Sequence, residues 1–293
     1  MESYNEIILG FPVWWYVAPN DGFTQYFIGV RMIKKEFFCC YRNELKIRGT
    51  VFMPSANENK KYPIAIVSHE FMANQLFSYP YAKALVKCGY AVFCFDFCGG
   101  GLVSASEGSS RDMSVMTEIE DLKAVILFAK NQNYTDENTL ILMGCSQGGL
   151  VSALTAAEMG KEVTGLILLY PALCIPEAAR KGEMLWLKFD PKDVPEKMHS
   201  GLMRLGKRYA TDVMNIDTYQ EIAKYTGKVL ILHGDCDTIA DINDSRKAYL
   251  VYSKAGAKAE FQVIFGGKHI FRKPRQIAFV RTKISDFTKS IKK

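Results

Sequence analysis

Six short apolar runs punctuate the chain: Pro63–His69, Tyr90–Asp96, Leu140–Gly144, Gly165–Tyr170, Val229–His233 and Glu260–Phe265. Each is apolar at successive positions, the pattern of a strand covered on both faces. Between them lie segments of helical period. Val115, Ile119, Leu122 and Ile126 fall at i, i+4, i+7 and i+11, and Ile277, Val280, Ile284, Phe287 and Ile291 at i, i+3, i+7, i+10 and i+14. Each set places one apolar stripe against a sheet. Ahead of the alternation, Lys35–Tyr41 and Leu45–Met53 flank the polar Arg42-Asn43-Glu44, which predicts an antiparallel hairpin. The pattern predicts an α/β fold: a mostly parallel twisted sheet, an N-terminal antiparallel hairpin and helices on both faces.

The rhythm breaks once. The stretch of about 55 residues between Tyr170 and Val229 is too long for one crossover helix. It is rich in Met, Trp, Leu and Lys and is broken by Pro176, Pro191 and Pro195. It predicts a helical insertion, a lid or cap spanning residues 172–226. With no internal repeat and no Ser/Gly linker, residues 1–293 are expected to form a single domain carrying that insertion.

Composition narrows the class. At 48% hydrophobic and 23% charged residues the chain is not of the disordered type, and 293 residues suffice for a core without covalent staples. The net charge is +6, and much of the excess lies near the C-terminus: Arg272, Lys273, Arg275, Arg281, Lys283, Lys289, Lys292 and Lys293 against Asp286. That spacing predicts a solvated helix face rather than a nucleic-acid surface. No apolar run reaches the roughly 18 residues of a membrane span. The N-terminus is acidic where a signal peptide is basic, and its apolar patch, Ile7 to Val17, is interrupted by Gly10 and Pro12. Eight cysteines include no C-x-x-C pair, so neither zinc nor a dithiol redox site is indicated, and a cytoplasmic location is expected.

The chemistry centres on Gly144-Cys145-Ser146-Gln147-Gly148-Gly149. It follows an apolar strand and precedes a helix-compatible run, the context of a nucleophile elbow. A serine hydroxyl needs a base to attack at neutral pH. Of four histidines, His269 lies in the loop after the last strand, as the order nucleophile, acid, base requires. The acid is expected after the preceding strand, in His233-Gly234-Asp235-Cys236-Asp237, with Asp237 preferred and Asp235 in reserve. The oxyanion donors are expected to be the N–H of Gln147 and, from the loop after His69, that of Phe71. His233 is expected to shape the acid loop.

Ser68-His-Glu-Phe71, Phe95-Asp-Phe-Cys-Gly-Gly-Gly101, the Ser146 elbow, His233-Gly-Asp-Cys-Asp237 and Gly266-Gly-Lys-His-Ile-Phe271 together resemble the α/β-hydrolases. More narrowly they resemble bacterial cinnamoyl/feruloyl esterases, with dienelactone-hydrolase-like and serine-aminopeptidase-like relatives. The resemblance runs from about residue 35 onward. It implies Ser146 as nucleophile, Asp237 as acid, His269 as base, Phe71 and Gln147 as oxyanion donors, a lid between the sixth and seventh strands, and no cofactor. Three departures stand out: Glu70 where the family has glycine, the run Cys98–Gly101 after Asp96, and Ile239-Ala240 where Val-Pro often follows the acid. A carboxylate at 70 is expected to point away from the oxyanion or to find a cationic partner.

The expected activity is hydrolysis of a small-molecule carboxylic ester through an acyl-enzyme, with small aromatic (cinnamoyl or feruloyl) or short-chain acyl esters leading. Met184, Trp186 and Phe189 are candidates to line the pocket. A peptidase or aminopeptidase is the alternative, with Glu70 binding a substrate amine. A non-catalytic binding protein on the same fold is a third reading, and Cys145 as nucleophile a fourth. A homodimer through the apolar N-terminal patch is a further expectation.

Overall fold

The computed structural model describes residues 26–28, 31–55 and 61–291. The apolar patch at 7–17, with the homodimer expectation attached to it, and Lys292 and Lys293 lie outside the described residues. A central sheet is built from β1 (Tyr26–Ile28), β2 (Arg31–Arg42), β3 (Leu45–Pro54), β4 (Tyr62–Ser68), β5 (Ala91–Phe95), β6 (Thr135–Cys145), β7 (Gly165–Leu169), β12 (Lys228–Gly234) and β13 (Lys258–Ile264). Its order is β1-β2-β3-β5-β4-β6-β7-β12-β13. The first three strands and the β3–β5 pair run antiparallel, and the rest is parallel. The expected hairpin is β2–β3. Its turn closes at Asn43, whose left-handed φ of 51° suits asparagine.

Alternation within each central strand sorts side chains to two faces. Ile64 and Ile66, Leu140 and Leu142, Leu166 and Leu168, and Val229 and Ile231 face one core, with α2 (Val115–Lys130), α3 (Gln147–Met159) and α7 (Ile242–Lys254). Ala65 and Val67, Ile141 and Met143, Ile167 and Leu169, and Leu230 and Leu232 face the other, with α1 (Tyr79–Lys87) and α8 (Pro274–Ile291). The stripe Val115, Ile119, Leu122 and Ile126 is buried throughout. On α8, Val280, Ile284 and Phe287 are buried, while Ile277 and Ile291 are half-buried. The basic residues of the C-terminal region, Arg272 to Lys289, are exposed apart from the half-buried Lys283. β13 departs from the two-faced expectation. Among the described residues it has β12 alone as neighbour, and its residues before Ile264 are exposed or half-buried.

Between β7 and β12 the chain forms α4 (Ile175–Lys181), a hairpin of β8 (Glu183–Met184) and β9 (Leu187–Lys188), a second of β10 (Lys197–Ser200) and β11 (Met203–Gly206), then α5 (Arg208–Thr211) and α6 (Thr218–Ile222). The insertion therefore carries short helices and, beyond the expected helical content, two tight hairpins. Pro191 and Pro195 fall between the hairpins, where they keep that connection out of a helix. No helix among the described residues is long and apolar enough to cross a membrane.

Candidate active site

β6 ends at Cys145 and α3 begins at Gln147, leaving Ser146 as the hinge with φ 50° and ψ −117°. A non-glycine residue rarely sits there, and the surrounding contacts enforce it. The Ser146 carbonyl accepts from the N–H groups of Gly149, Leu150 and Ala172, and its own N–H donates to Leu169. The turn needs glycine where the helix approaches the strand: a Cβ on Gly148 would lie 2.4 Å from the His69 carbonyl oxygen and 2.6 Å from that of Ser68.

His269, in the loop after β13, places Nε2 2.8 Å from Ser146 Oγ and Nδ1 2.8 Å from Asp237 Oδ2. These three side chains, far apart in sequence, meet beyond the carboxyl ends of β6, β12 and β13. Asp237 Oδ1 accepts from the N–H groups of Ile239 (2.8 Å) and Ala240 (3.1 Å). The alanine thus supplies a donor that proline at this position would lack. Burial disfavours the Asp237 carboxylate. Hydrogen bonds from His233 and His269, the nearby His269 charge and the Ile239 N–H outweigh it, and the carboxyl is held well below the usual carboxylate range. His233 Nε2 lies 3.0 Å from Asp237 Oδ2 and 3.1 Å from the Ala240 carbonyl. Both neighbours are acceptors, so Nε2 carries the proton, and Nδ1 meets the Ser245 hydroxyl at 2.7 Å. His233 shapes the acid loop, as expected. Asp235 instead accepts from the Gly266 N–H at 2.6 Å and fastens the loop that leads to His269.

Gln147 is the first residue of α3, so its N–H has no intrahelical acceptor. Phe71 stands in the loop after β4. That loop is held by His69, whose Nε2 accepts from the Phe97 N–H at 3.1 Å while Nδ1 reaches the Glu70 carbonyl at 2.7 Å. A ring accepting at Nε2 and donating at Nδ1 is neutral, in keeping with the downward push of burial on its pKa. The loop also pairs with the unusual glycine run: Met72 donates to Gly100 and Leu102 to Met72. A Cβ on Gly101 would lie 2.1 Å from the Ala73 carbonyl oxygen, so the run lets the two loops touch.

Glu70 is tolerated in place of glycine because the left-handed residue here is Met72, at φ 65°. The Glu70 side chain is 9% exposed. Its Oε1 accepts from the Tyr170 hydroxyl at 2.8 Å, and Oε2 is shielded and finds no hydrogen-bond partner among the described residues. The carboxylate has turned away, as one expectation held, but its partner is a neutral hydroxyl rather than a cation. The Tyr170 ring in turn lies 5.0 Å from that of His269. Glu70 offers no solvent-accessible anchor, which corrects its assignment to substrate binding.

Of the expected pocket residues, Trp186 is 66% exposed at the tip of the β8–β9 hairpin. It lies against Gly201 of the second hairpin tip, which also borders the Met72 methyl of the oxyanion-side loop. Leu185 and Leu202 at the same tips are exposed. Met184 is 2% exposed inside the main core, and Phe189 packs half-buried against that core. Alternation along a two-residue strand turns Met184 inward, so it does not line an accessible surface. Cys145 is buried on the α1/α8 face, and burial pushes its thiol well up, so it offers neither access nor thiolate. The eight cysteines all lie among the described residues, and no disulfide joins any two of them. No cluster of three or more His, Cys, Asp or Glu suited to a metal occurs among the described residues.

Sequence reasoning missed Glu118, Tyr170 and Tyr209. Gln147 Nε2 donates to Glu118 Oε2 at 2.8 Å, and Gln147 Oε1 accepts from the Tyr209 hydroxyl at 2.7 Å. Burial, reinforced by the Asp121 charge and offset in part by the Gln147 bond, pushes the Glu118 carboxyl up to about 8. A carboxylate one position before Ile119 on a buried helix stripe was a readable signal. Tyr209 lies in the aperiodic insertion and had none.

Residues 64–212, just over half of the chain, match the family model described as serine aminopeptidase, S33. Among solved structures, Est1E from Butyrivibrio proteoclasticus with ferulic acid bound is 27% identical with a TM-score of 0.79, covering 86% of this chain and 98% of that one. The Pyrococcus furiosus esterase Pf2001, 18% identical with a TM-score of 0.65, covers 87% of this chain and 92% of its own and shares the fold. An uncharacterized 31.7 kDa protein of Escherichia coli, from the traX-finO intergenic region, is 32% identical over 92 residues. That match spans 31% of each chain.

Proposed function

This chain belongs to the serine aminopeptidase S33 family of α/β-hydrolases, and from that premise we propose that it is a serine carboxylic ester hydrolase acting through an acyl-enzyme. The observation that carries the reading is the continuous relay from Ser146 through His269 to Asp237, each contact 2.8 Å. Ser146 Oγ attacks the ester carbonyl while His269 Nε2 takes its proton. Asp237 holds the Nδ1–H tautomer and stabilises the imidazolium. The N–H groups of Gln147 and Phe71 receive the oxyanion. As the tetrahedral intermediate collapses, the C–O bond to the alcohol breaks and His269 returns its proton to the leaving oxygen. Water, activated by the same imidazole, then releases the acid and restores Ser146.

Apolar side chains near the oxyanion loop support a choice of substrate class. Trp186, Leu185 and Leu202 present apolar surface beside the oxyanion loop. This favours an ester with an aromatic or short apolar acyl group. The Est1E structure, with ferulic acid bound, supports the aromatic choice.

The family description favours a second reading, an aminopeptidase. Such an enzyme holds the substrate amine with an anion. Glu70, within the oxyanion loop, instead faces Tyr170. Parallel assays with methyl ferulate, short-chain nitrophenyl esters and aminoacyl anilides decide between the two. Ester turnover far exceeding anilide turnover is expected, and the reverse order overturns the esterase reading.

A further inference from the structure

Tyr209 stands on α5, inside the insertion, and is fully buried. Its hydroxyl donates to Gln147 Oε1 at 2.7 Å, and its ring lies 5.4 Å from the Phe71 ring, centroid to centroid. One side chain thus touches both residues whose N–H groups receive the oxyanion in the reading above. The far end of the Gln147 amide is held as well, by Glu118 on α2. The segment that carries Tyr209 is fastened to the body of the protein. Ser114, the N-cap of α2, donates to Asp212 Oδ2 at 2.6 Å, and Ser110 donates to the Arg204 carbonyl at 2.6 Å. Gly206 lies so close to the Arg111 carbonyl that a Cβ there would approach it to 2.2 Å.

We propose that Tyr209 is a positioning residue for the oxyanion site, bracing Gln147 through its hydroxyl and Phe71 through its ring so that both N–H groups are aligned before charge develops. The physical reason is that such donors accelerate a reaction only when they need not reorganise as the negative charge forms. An unrestrained glutamine side chain at the first turn of α3 would leave its backbone freer to shift. Here the amide is bonded at both ends, and the insertion supplies one of those bonds. The base of the insertion thereby becomes part of the catalytic framework.

The inference rests on the serine-hydrolase reading and is tested separately from it. Tyr209→Phe keeps the ring against Phe71 and removes the hydroxyl, whereas Tyr209→Leu removes both. The acylation rate with nitrophenyl acetate is expected to fall about tenfold in the first and about a hundredfold in the second, with KM for the ester little changed. Tyr225→Phe is the control. It removes an equally buried hydroxyl that donates to the Val163 carbonyl at 2.9 Å, away from the site. It should lower the melting temperature without slowing acylation. If Tyr209→Phe does not fold, Gln147→Met, which keeps the backbone N–H but loses the amide, is expected to show the slower acylation. Wild-type acylation in the folded variant, or equal slowing in Tyr225→Phe, overturns the proposal. A wild-type protein that acylates with no ester defeats the esterase reading instead.

Discussion

Replacing Asp237 with asparagine separates the proposed acid from its neighbour two residues away. Asp237 uses Oδ1 for the Ile239 and Ala240 N–H groups and Oδ2 for His269 and His233. Asparagine has one acceptor oxygen and one NH2 donor. If the oxygen stays with the two backbone donors, the NH2 faces His269 Nδ1 and also the His233 Nε2–H, which loses this acceptor and keeps the Ala240 carbonyl. The imidazole must then accept there, its proton moves to Nε2, and it can no longer take the proton of Ser146. If the amide flips, the NH2 confronts two N–H groups, and two hydrogen bonds, one exposed and one part-buried, are lost at about 1 kcal/mol each. The first outcome costs about 10⁴-fold in kcat, the scale of a wrong tautomer in a serine triad. Asp235→Asn keeps its acceptor oxygen for the Gly266 N–H and should lose less than about tenfold, the size of one retained, slightly weakened hydrogen bond. Steady-state hydrolysis of nitrophenyl acetate, with circular dichroism to verify folding, measures both. Equal losses at 235 and 237, in folded proteins, would refute the assignment of the acid.

Three further predictions concern the frame around the relay. Gly148→Ala forces a methyl against the His69 and Ser68 carbonyls. It should destabilise the fold by about 1–3 kcal/mol in urea and depress activity, since those carbonyls begin the oxyanion loop. Unchanged stability would contradict the close approach. Tyr170→Phe leaves the buried Glu70 carboxyl without its hydroxyl partner. It should cost about 1–3 kcal/mol by urea denaturation, and an unmoved midpoint would mean that Glu70 is held otherwise. Glu118 has a folded pKa, about 8, above its ordinary value of 4.5. The stability it contributes is therefore present in acid and is lost as pH rises toward 8. Relative to Glu118→Gln, the wild type should lose up to about 1.4 kcal/mol per pH unit across that window, and a difference independent of pH would contradict this.

Much of this frame was legible because strand burial and catalytic order leave marks in a linear chain. The runs at 63–69, 90–96, 165–170 and 229–233 read as buried strands and are β4, β5, β7 and β12. The Ser146 elbow read from its glycines, and their close contacts explain why no other residue fits at 148. The insertion resisted because the strands of its hairpins are two or four residues long, too short for a period to register. Met184 and Trp186 illustrate the difficulty: two positions apart and both apolar, one is core and the other faces solvent. Tyr209 and Tyr170 act through contacts to residues 62 and 100 positions away, and no local pattern encodes such a distance.

The most direct test of the account is chemical. The folded chain is exposed to a fluorophosphonate probe, and the adduct is located by peptide mapping beside the Ser146→Ala variant. The account predicts a single adduct on Ser146, with labelling and ester turnover lost together in the variant. An unlabelled folded protein, or an adduct and undiminished turnover that persist without the Ser146 hydroxyl, would contradict it.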